Sequence, residues 1–453
     1  MKKVITYGSF DLFHQGHYNL LKHAHELGDT LIVGVTTEQY DISRGKLNIV
    51  DSLMRRIENV RQTGFADEII IEDHEGQKIE DIQKYNIDIF TIGSDWRGKF
   101  DYLNQYCSVV YIERTKNVSS TALRNKRYGI VRLGIAGTGR IAGRFVQEIV
   151  FVSGIESIGV YNPHIESAQR FANQHELGFY SDDYDVFLDE IDAVYIATPH
   201  DTHYDYARRA ILAHKHVLCE KPLVLKEAEA RELFALAAKQ GVVLMEAVKT
   251  AYAPGFINLI AIARSGRIGK IYDIEAAFTK LVPNAANARE YDPDVGGSFT
   301  ELASYSLLPV IKLLGHNYRN INFEYFIGSN GCDIYAKAHF KYNDALATAK
   351  TGIGVKSEGQ LSISGELGYI IVKSPWWLLK SFDVCYENIL ENETFSAPFL
   401  GYGLRYEIAD FTRRISDPIS NNYKLTSEES IAMSRIMEKF LIERKNTQLL
   451  ECV

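Results

Sequence analysis

Val4-Ile5-Thr6-Tyr7-Gly8-Ser9-Phe10-Asp11-Leu12-Phe13-His14-Gln15-Gly16-His17 passes from a continuous apolar run through a glycine turn into residues at helical spacing. A run without polar alternation reads as a strand buried on both faces, which is the signature of a parallel sheet. The glycine turn lets the backbone approach a phosphate, and the helix start beyond it offers free N–H groups and a positive dipole end. His14 and His17 enter that helix three residues apart and can both face a phosphate chain. A single helix histidine is ordinarily a surface or core residue. This pair, set in G-x-F-D-x-x-H-x-G-H directly after a strand, points instead to a nucleotide site that takes in Gly8, Ser9, Phe10, Asp11 and Gly16.

Working outward, strands and helices keep alternating. Residues 17–27 carry a helical pattern, and apolar strands are expected at 31–35, 68–71, 87–92 and 109–112. A second alternating series starts at Val131–Ala136 and continues through 158–161, 193–197, 217–219 and 242–245. From about residue 270 longer strands follow, at 271–278, 336–342, 345–351, 359–364 and 369–372, and are expected to be antiparallel. The expected fold class is α/β: two Rossmann-like parallel-sheet domains, then an α+β lobe with an antiparallel sheet. The boundaries fall at 1–127, 129–247 and 248–453, with a short polar helix over 124–128 between the first two.

With 453 residues, one hydrophobic core is not enough and two or three domains are expected. The net charge of −8 is spread without a basic stripe, so nucleic acid is not an expected partner. No apolar run is long enough to span a membrane, and Met-Lys-Lys leads straight into the first strand without a cleavable signal. The five cysteines are scattered, with neither a disulfide framework nor a metal-ligand spacing. A reduced, cytoplasmic protein with no resident metal is expected.

Gly134-Ile135-Ala136-Gly137-Thr138-Gly139-Arg140-Ile141-Ala142 again links a strand to a helix, and Gly137, Gly139 and Ala142 fit the dinucleotide fingerprint. The next strand ends at Asn162, where an NAD site ordinarily carries an acidic residue for the ribose. Asn162 does not repel a 2′-phosphate and Arg140 can pair with one, so NADP is favoured while NAD stays open. Further on stand Thr198-Pro199-His200-Asp201-Thr202-His203, then Glu220-Lys221-Pro222, then Gly296-Gly297-Ser298-Phe299-Thr300-Glu301-Leu302-Ala303-Ser304-Tyr305. Residues 301 and 305, four apart, share one helical face.

Two resemblances follow. Residues 1–127 resemble the glycerol-3-phosphate cytidylyltransferase family, through the HxGH segment, Gly93-Ser94-Asp95-Trp96-Arg97-Gly98-Lys99-Phe100-Asp101 and Arg114-Thr115-Lys116-Asn117-Val118-Ser119-Ser120-Thr121. This resemblance implies that His14 and His17 grip the phosphates of CTP, with Arg114 and Ser119, Ser120 and Thr121 completing the cradle. It also implies that Arg44, Lys46 and Arg55 meet phosphates of CTP and acceptor, and that Asp95 and Asp11 lie near nucleotide or acceptor. Asn117 in place of a glycine and the divergent 48–54 segment leave the acceptor open. Mg²⁺ is expected with the triphosphate.

Residues 130–450 resemble the Gfo/Idh/MocA oxidoreductases. That resemblance implies a nicotinamide site at Gly137, Thr138, Gly139, Arg140, Ile141, Asn162, Thr198, Pro199, His203, Glu220 and Lys221. Tyr305 is then the proton donor or acceptor at the substrate oxygen, Lys221 lowers its pKa or polarises the carbonyl, and Glu301 orients substrate hydroxyls. Together the resemblances imply a bifunctional enzyme that makes a CDP-polyol from CTP and a polyol phosphate, and reduces a sugar phosphate precursor for a surface polymer of teichoic-acid type. A redox-inactive C-terminal module, oxidoreduction of the CDP-linked product, and an ATP-using N-terminal domain are the alternatives. A homo-oligomer is expected through the sheet-rich lobe.

Overall fold

The computed structural model describes residues 2–11, 13–43, 51–74, 76–113, 130–283, 288–397, 399–416 and 424–451. The segment 124–128, expected to be a short helix, lies outside them. Packing divides the chain into two units: Met1–Val131 with Val150–Ile155, and Arg132–Ile149 with Glu156–Val453.

In the first unit β1 (Lys3–Gly8), α1 (Gln15–Glu26), β2 (Thr30–Thr36), α2 (Glu38–Ser43), α3 (Leu53–Arg61), β3 (Glu68–Glu72), α4 (Gln77–Tyr85), β4 (Ile89–Gly93) and β5 (Ser108–Ile112) follow in sequence. The strands pair in parallel in the order β3-β2-β1-β4-β5. Alternate residues of β1 serve the two faces: Val4 joins Phe10, Leu21 and Val33, whereas Ile5 and Tyr7 join Ile82 and Phe90. Both faces are therefore apolar, as the uninterrupted strand sequences require.

The second unit opens with β6 (Val131–Ala136), α5 (Arg140–Ile149), β7 (Ile155–Tyr161), α6 (Ile165–His175), β8 (Phe179–Ser181), α7 (Tyr184–Asp189), β9 (Ala193–Ile196), α8 (His203–Leu212), β10 (His216–Glu220), α9 (Glu227–Gln240) and β11 (Leu244–Ala247). Six strands take the order β11-β10-β9-β6-β7-β8, the doubly wound arrangement.

Beyond it come α10 (Lys249–Tyr252), α11 (Pro254–Arg264), β12 (Ile271–Thr279), α12 (Ser298–Leu314), β13 (Asn320–Ile327), β14 (Asp333–Lys341), β15 (Leu346–Gly352), β16 (Leu361–Gly365), β17 (Gly368–Val372), β18 (Ser381–Tyr386), β19 (Glu393–Ser396), α13 (Leu404–Ser416) and α14 (Ser427–Glu451). These eight strands form one sheet, β13-β14-β15-β12-β16-β17-β18-β19. It is antiparallel except where β12 meets β15, which run parallel. The exception has a topological cause: a parallel pair needs a crossover, and α12 between β12 and β13 helps to supply it. Trp376 is fully buried and donates its indole N–H to the Ala277 carbonyl at 2.9 Å.

The start of α12 is held from a distance. The residue before it, Gly297, has no side chain to cap the helix, so Asp333 on β14 takes that role. One Asp333 carboxylate oxygen accepts from the Ser298 hydroxyl and the Phe299 N–H, each at 2.8 Å. The other meets Arg444 of α14 at 2.7 Å, and Arg444 also donates to the Gly296 carbonyl. Gly297 has φ +114°, and a Cβ there would collide with the Asp333 carboxylate and the Arg444 guanidinium. Gly297→Ala combines left-handed strain with that clash and is expected to destabilise the second unit by roughly 1–3 kcal/mol or more. Asp333→Asn, which strands a buried guanidinium, is expected to cost about 3–5 kcal/mol. Denaturant melts of both variants check the ranking.

Candidate active sites

In the first unit His14 caps α1. Its Nδ1 accepts from the Gly16 N–H at 3.0 Å, so the neutral ring carries its proton on Nε2. A Cβ at Gly16 would stand 2.9 Å from the His14 ring, which explains the glycine between the histidines. The two imidazoles stack with centroids 3.9 Å apart, and Phe10 and Phe13 wall His17 at 5.5 and 5.6 Å. Phe10 adopts φ 51°, a left-handed conformation that costs a non-glycine residue roughly 1–3 kcal/mol and marks a loop held by its surroundings.

What holds it is Arg56, a residue the sequence reading passed over. Its side chain is completely buried. Nη1 donates to the carbonyls of Ser9 and Thr36, both at 2.8 Å, Nε donates to the Asp51 carbonyl at 3.1 Å, and Asp41 lies 3.6 Å away. Nη2 is buried with no partner. Arg55, expected at the phosphates, is on the exposed side of α3, 68% accessible and 3.3 Å from Asp51. Asp11 is buried, and its carboxylate accepts from the Asp51 N–H at 2.9 Å, so it braces the loop at 51. Arg44, Lys46, Arg114, Ser119, Ser120 and Thr121 lie outside the described residues, as does the Asp95 side chain. Gly8 and Ser9 lead from β1 into the loop that Arg56 grips.

In the second unit Gly137, Thr138 and Gly139 lead into α5. Gly139 is exposed with open space where a Cβ would stand, Arg140 is exposed as the first residue of α5, and Ile141 is half-buried. The Asn162 amide donates to the Thr138 hydroxyl at 2.9 Å, which sets Asn162 beside the glycine loop. An accessible glycine turn at a helix N-terminus with a polar residue alongside fits a dinucleotide.

The catalytic candidates converge. Lys221 Nζ donates to the Glu301 carbonyl at 3.1 Å, bringing the loop after β10 against α12. His200, not foreseen as a site residue, puts Nδ1 3.7 Å from the Glu301 carboxylate while Nε2 donates to the Val295 carbonyl at 2.9 Å. Burial lowers the His200 pKa, and Glu301 works against that. Tyr305 lies one turn beyond Glu301, its ring edge-on to Phe278, which stacks on Trp377 at 3.7 Å. Pro309, four residues later, removes the helical donor to the Tyr305 carbonyl.

Burial first, and then the Glu220 and Glu407 carboxyls, push the Tyr305 pKa far up. Glu220 faces inward, accepting from the Tyr195 hydroxyl at 2.6 Å and from the Lys221 N–H. His203 is buried between two loops, its ring nitrogens 2.9 Å from the Pro222 carbonyl and 3.0 Å from that of Thr198, and the single N–H of the neutral ring donates to one of the two. Burial lowers its pKa to about 4 and keeps it neutral. Glu246 braces the same turn by accepting from the Leu223 N–H at 3.0 Å. Among the described residues no group of His, Cys, Asp and Glu side chains is arranged to hold a metal, and no helix is long and apolar enough to cross a membrane.

Two family models match the chain: cytidylyltransferase-like over residues 5–126, and the oxidoreductase family with an NAD-binding Rossmann fold over 131–248. The chain is 48% identical over 124 residues to a glycerol-3-phosphate cytidylyltransferase of Bacillus spizizenii, covering 27% of this chain and 95% of that one. It is 27% identical over 323 residues to a scyllo-inositol 2-dehydrogenase (NADP(+)) of Bacillus subtilis, covering 68% of this chain and 96% of that one. A solved 3-ketoreductase of Actinomadura kijaniata, in complex with NADP and TDP-benzene, aligns with a TM-score of 0.60 at 22% identity over 68% of this chain and 96% of its own. At that identity the likeness is one of fold.

Two variant sets test these sites. Arg56→Ala is expected to destabilise the first unit by about 3–5 kcal/mol, because Asp41 loses its buried partner, whereas Arg55→Ala changes stability by about 0.5 kcal/mol or less. Chemical denaturation followed within the first unit separates them. Burial raises the Glu246 pKa from 4.5 to about 7. A raised folded-state pKa means stability is fully present below the unfolded value and is lost as pH rises through the folded one. Glu246→Gln keeps the acceptor for Leu223 and is therefore expected to raise the melting temperature at pH 8, with little effect at pH 4.5. An equal shift at both pH values would contradict the assignment.

Proposed function

Because this chain belongs to the glycerol-3-phosphate cytidylyltransferase family over residues 5–126 and to the NAD-binding Rossmann oxidoreductases over 131–248, we propose that it makes a CDP-polyol and also the polyol phosphate that enters it. One observation carries the reading: a cytidylyltransferase-like domain shares a polypeptide with an oxidoreductase domain of NAD-binding Rossmann fold.

In the first reaction a phosphate oxygen of a polyol phosphate attacks the α-phosphorus of CTP in line, a P–O bond forms, and pyrophosphate leaves. The Nε2–H of His14, fixed by the Gly16 contact, is set to donate to the triphosphate, with His17 stacked against it. The unpartnered Arg56 Nη2 supplies further positive charge at the same loop. Mg²⁺ is expected to accompany the triphosphate.

In the second reaction NAD(P)H, when bound, supplies a hydride. Gly137, Thr138, Gly139 and Asn162 hold the dinucleotide at the start of α5. Asn162 carries no charge to oppose a 2′-phosphate, which supports NADP. Lys221 commits one N–H to the Glu301 carbonyl and retains others to polarise a substrate carbonyl. Glu301 and His200 orient substrate hydroxyls, and Tyr305, held protonated by its surroundings, gives the proton to the substrate oxygen. The substrate class is a keto- or aldo-sugar phosphate, and the CDP-polyol is a donor for a surface glycopolymer of teichoic-acid type. We further propose a cytoplasmic homo-oligomer built on the outer face of the eight-stranded sheet, where Leu346 and Tyr369 are exposed.

The test follows pyrophosphate release from CTP, Mg²⁺ and a panel of polyol phosphates, with and without NADPH and the matching sugar phosphates. Release that depends on NADPH plus one sugar phosphate places reduction first. NADPH oxidation that appears only with a CDP-linked compound would place it second. His14→Ala is expected to abolish pyrophosphate release while sparing NADPH oxidation, and Tyr305→Phe the reverse, each by about 10²–10⁴-fold. Use of ATP in place of CTP would sink the cytidylyltransferase reading.

A further inference from the structure

Asp201 follows His200 in the loop after β9, and its carboxylate accepts from Nη2 of Arg289. The side chains of His200 and Glu301 are 7% and 19% exposed, whereas those of Arg289 and Asp201 are 40% and 45% exposed. The ion pair is thus the solvent-facing continuation of the His200–Glu301 contact, one residue further out along the same loop.

The segment that carries Arg289 is fixed beside Tyr305. Ala288 and Tyr291 pack in the same apolar cluster as Tyr305, Phe278 and Leu302. Tyr291 donates its hydroxyl to the Val282 carbonyl at 2.8 Å. The Asp292 carboxylate accepts from the N–H groups of Asp294 and Val295 at 2.9 and 3.2 Å, and Arg444 donates to the Pro293 carbonyl at 2.9 Å. The Val295 carbonyl in turn receives the His200 ring. Residues 288–295 are therefore held along their length, and the place of Arg289 is set by the fold.

The protein itself makes little use of that guanidinium. Of its three nitrogens only Nη2 has a hydrogen-bond partner among the described residues, and Nε is buried with none. An ion pair as exposed as this one adds little stability, so it does not account for a donor left unsatisfied.

We infer that Arg289 determines the substrate class by holding the phosphoryl group of the sugar phosphate. The inference rests on the reading of this unit as a sugar phosphate reductase and deepens it. The carbonyl end of the substrate goes inward, to Lys221 and Tyr305. A phosphate monoester cannot follow it out of water without a cation, and the planar guanidinium at the rim supplies one. Asp201 sets the plane of the guanidinium through Nη2, and Nη1 is left to meet phosphoryl oxygens.

NADPH oxidation by the full chain is compared for a sugar phosphate, its dephosphorylated sugar and the corresponding CDP-linked compound. Arg289→Ala is expected to raise KM for the sugar phosphate about 10–100-fold, with little change in kcat or in KM for NADPH. KM for the dephosphorylated sugar is expected to stay at its wild-type value. Arg289→Lys, which keeps the charge and loses the fork, is expected to recover part of the loss. An unchanged KM for the sugar phosphate, an equal rise for the dephosphorylated sugar, or a rise confined to the CDP-linked compound overturns the inference. A second measurement needs no turnover: phenylglyoxal modification of Arg289 in the full chain, located by peptide mass spectrometry. Inorganic phosphate is expected to slow it and chloride at the same ionic strength is not. Equal modification in the two salts overturns the inference. A chain that oxidises NADPH with no sugar phosphate would refute the reductase reading, while the labelling still decides whether Arg289 holds a phosphoryl group.

Discussion

The ion pair between Asp333 and Arg444 is the constraint on which the oxidoreductase site depends. It joins three segments far apart in sequence: the glycine turn at 296–297, the first strand residue of β14 and the C-terminal helix. A helix that begins at glycine has no local side chain for its free N–H groups, and a distant carboxylate fills that gap. The consequence is directional. With the first turn of α12 pinned, Glu301 and Tyr305 stand one turn apart on the helix, with the Glu301 carboxylate near His200 and its backbone carbonyl accepting from Lys221. Buried pairs of this kind contribute little net stability compared with apolar packing, but removing one partner is costly, so they act mainly on geometry.

The cytidylyltransferase domain uses the same physical device in another place. Arg56 is a buried guanidinium whose donors fan out to backbone carbonyls of the β1–α1 loop, the end of β2 and Asp51, two residues before α3. Carbonyl oxygens at strand ends would otherwise need water, and one planar fork satisfies three of them at fixed angles. Loops that must meet a phosphate cannot be filled with apolar side chains. A buried cation gives such a loop rigidity and leaves its N–H groups free to face the ligand.

The two parallel sheets and the HxGH and glycine-rich turns were legible because their signals are local: continuous apolar strands and glycines at fixed offsets. The divergence begins where a residue's role comes from tertiary contact. Arg55 and Arg56 are adjacent and chemically alike, and only their phase on α3 decides which is buried. His203 and Glu220 sit inside recognisable motifs, yet both turn inward to hold backbone, whereas His200 in the same motif meets the site. Asp333, Arg444 and Glu407 carry no motif at all. The parallel pairing of β12 with β15 was likewise hidden, because strand direction depends on the α12 crossover and not on the strand residues.

The surroundings of Tyr305 bear on the direction of the proposed chemistry. A tyrosine serving as a base must spend part of its time ionised, and a cation beside it would favour that state. Here the charges that bear on it are carboxyls, Glu220 and Glu407, and both favour the phenol. A phenol held neutral is suited to give a proton to an oxygen that has just received a hydride, which is the demand of reduction. Oxidation of an alcohol would require the same group to accept a proton against two carboxyls and a low-dielectric wall of Phe278 and Trp377. With both carboxyls favouring the phenol, Tyr305 rests in the form that gives a proton to a substrate oxygen.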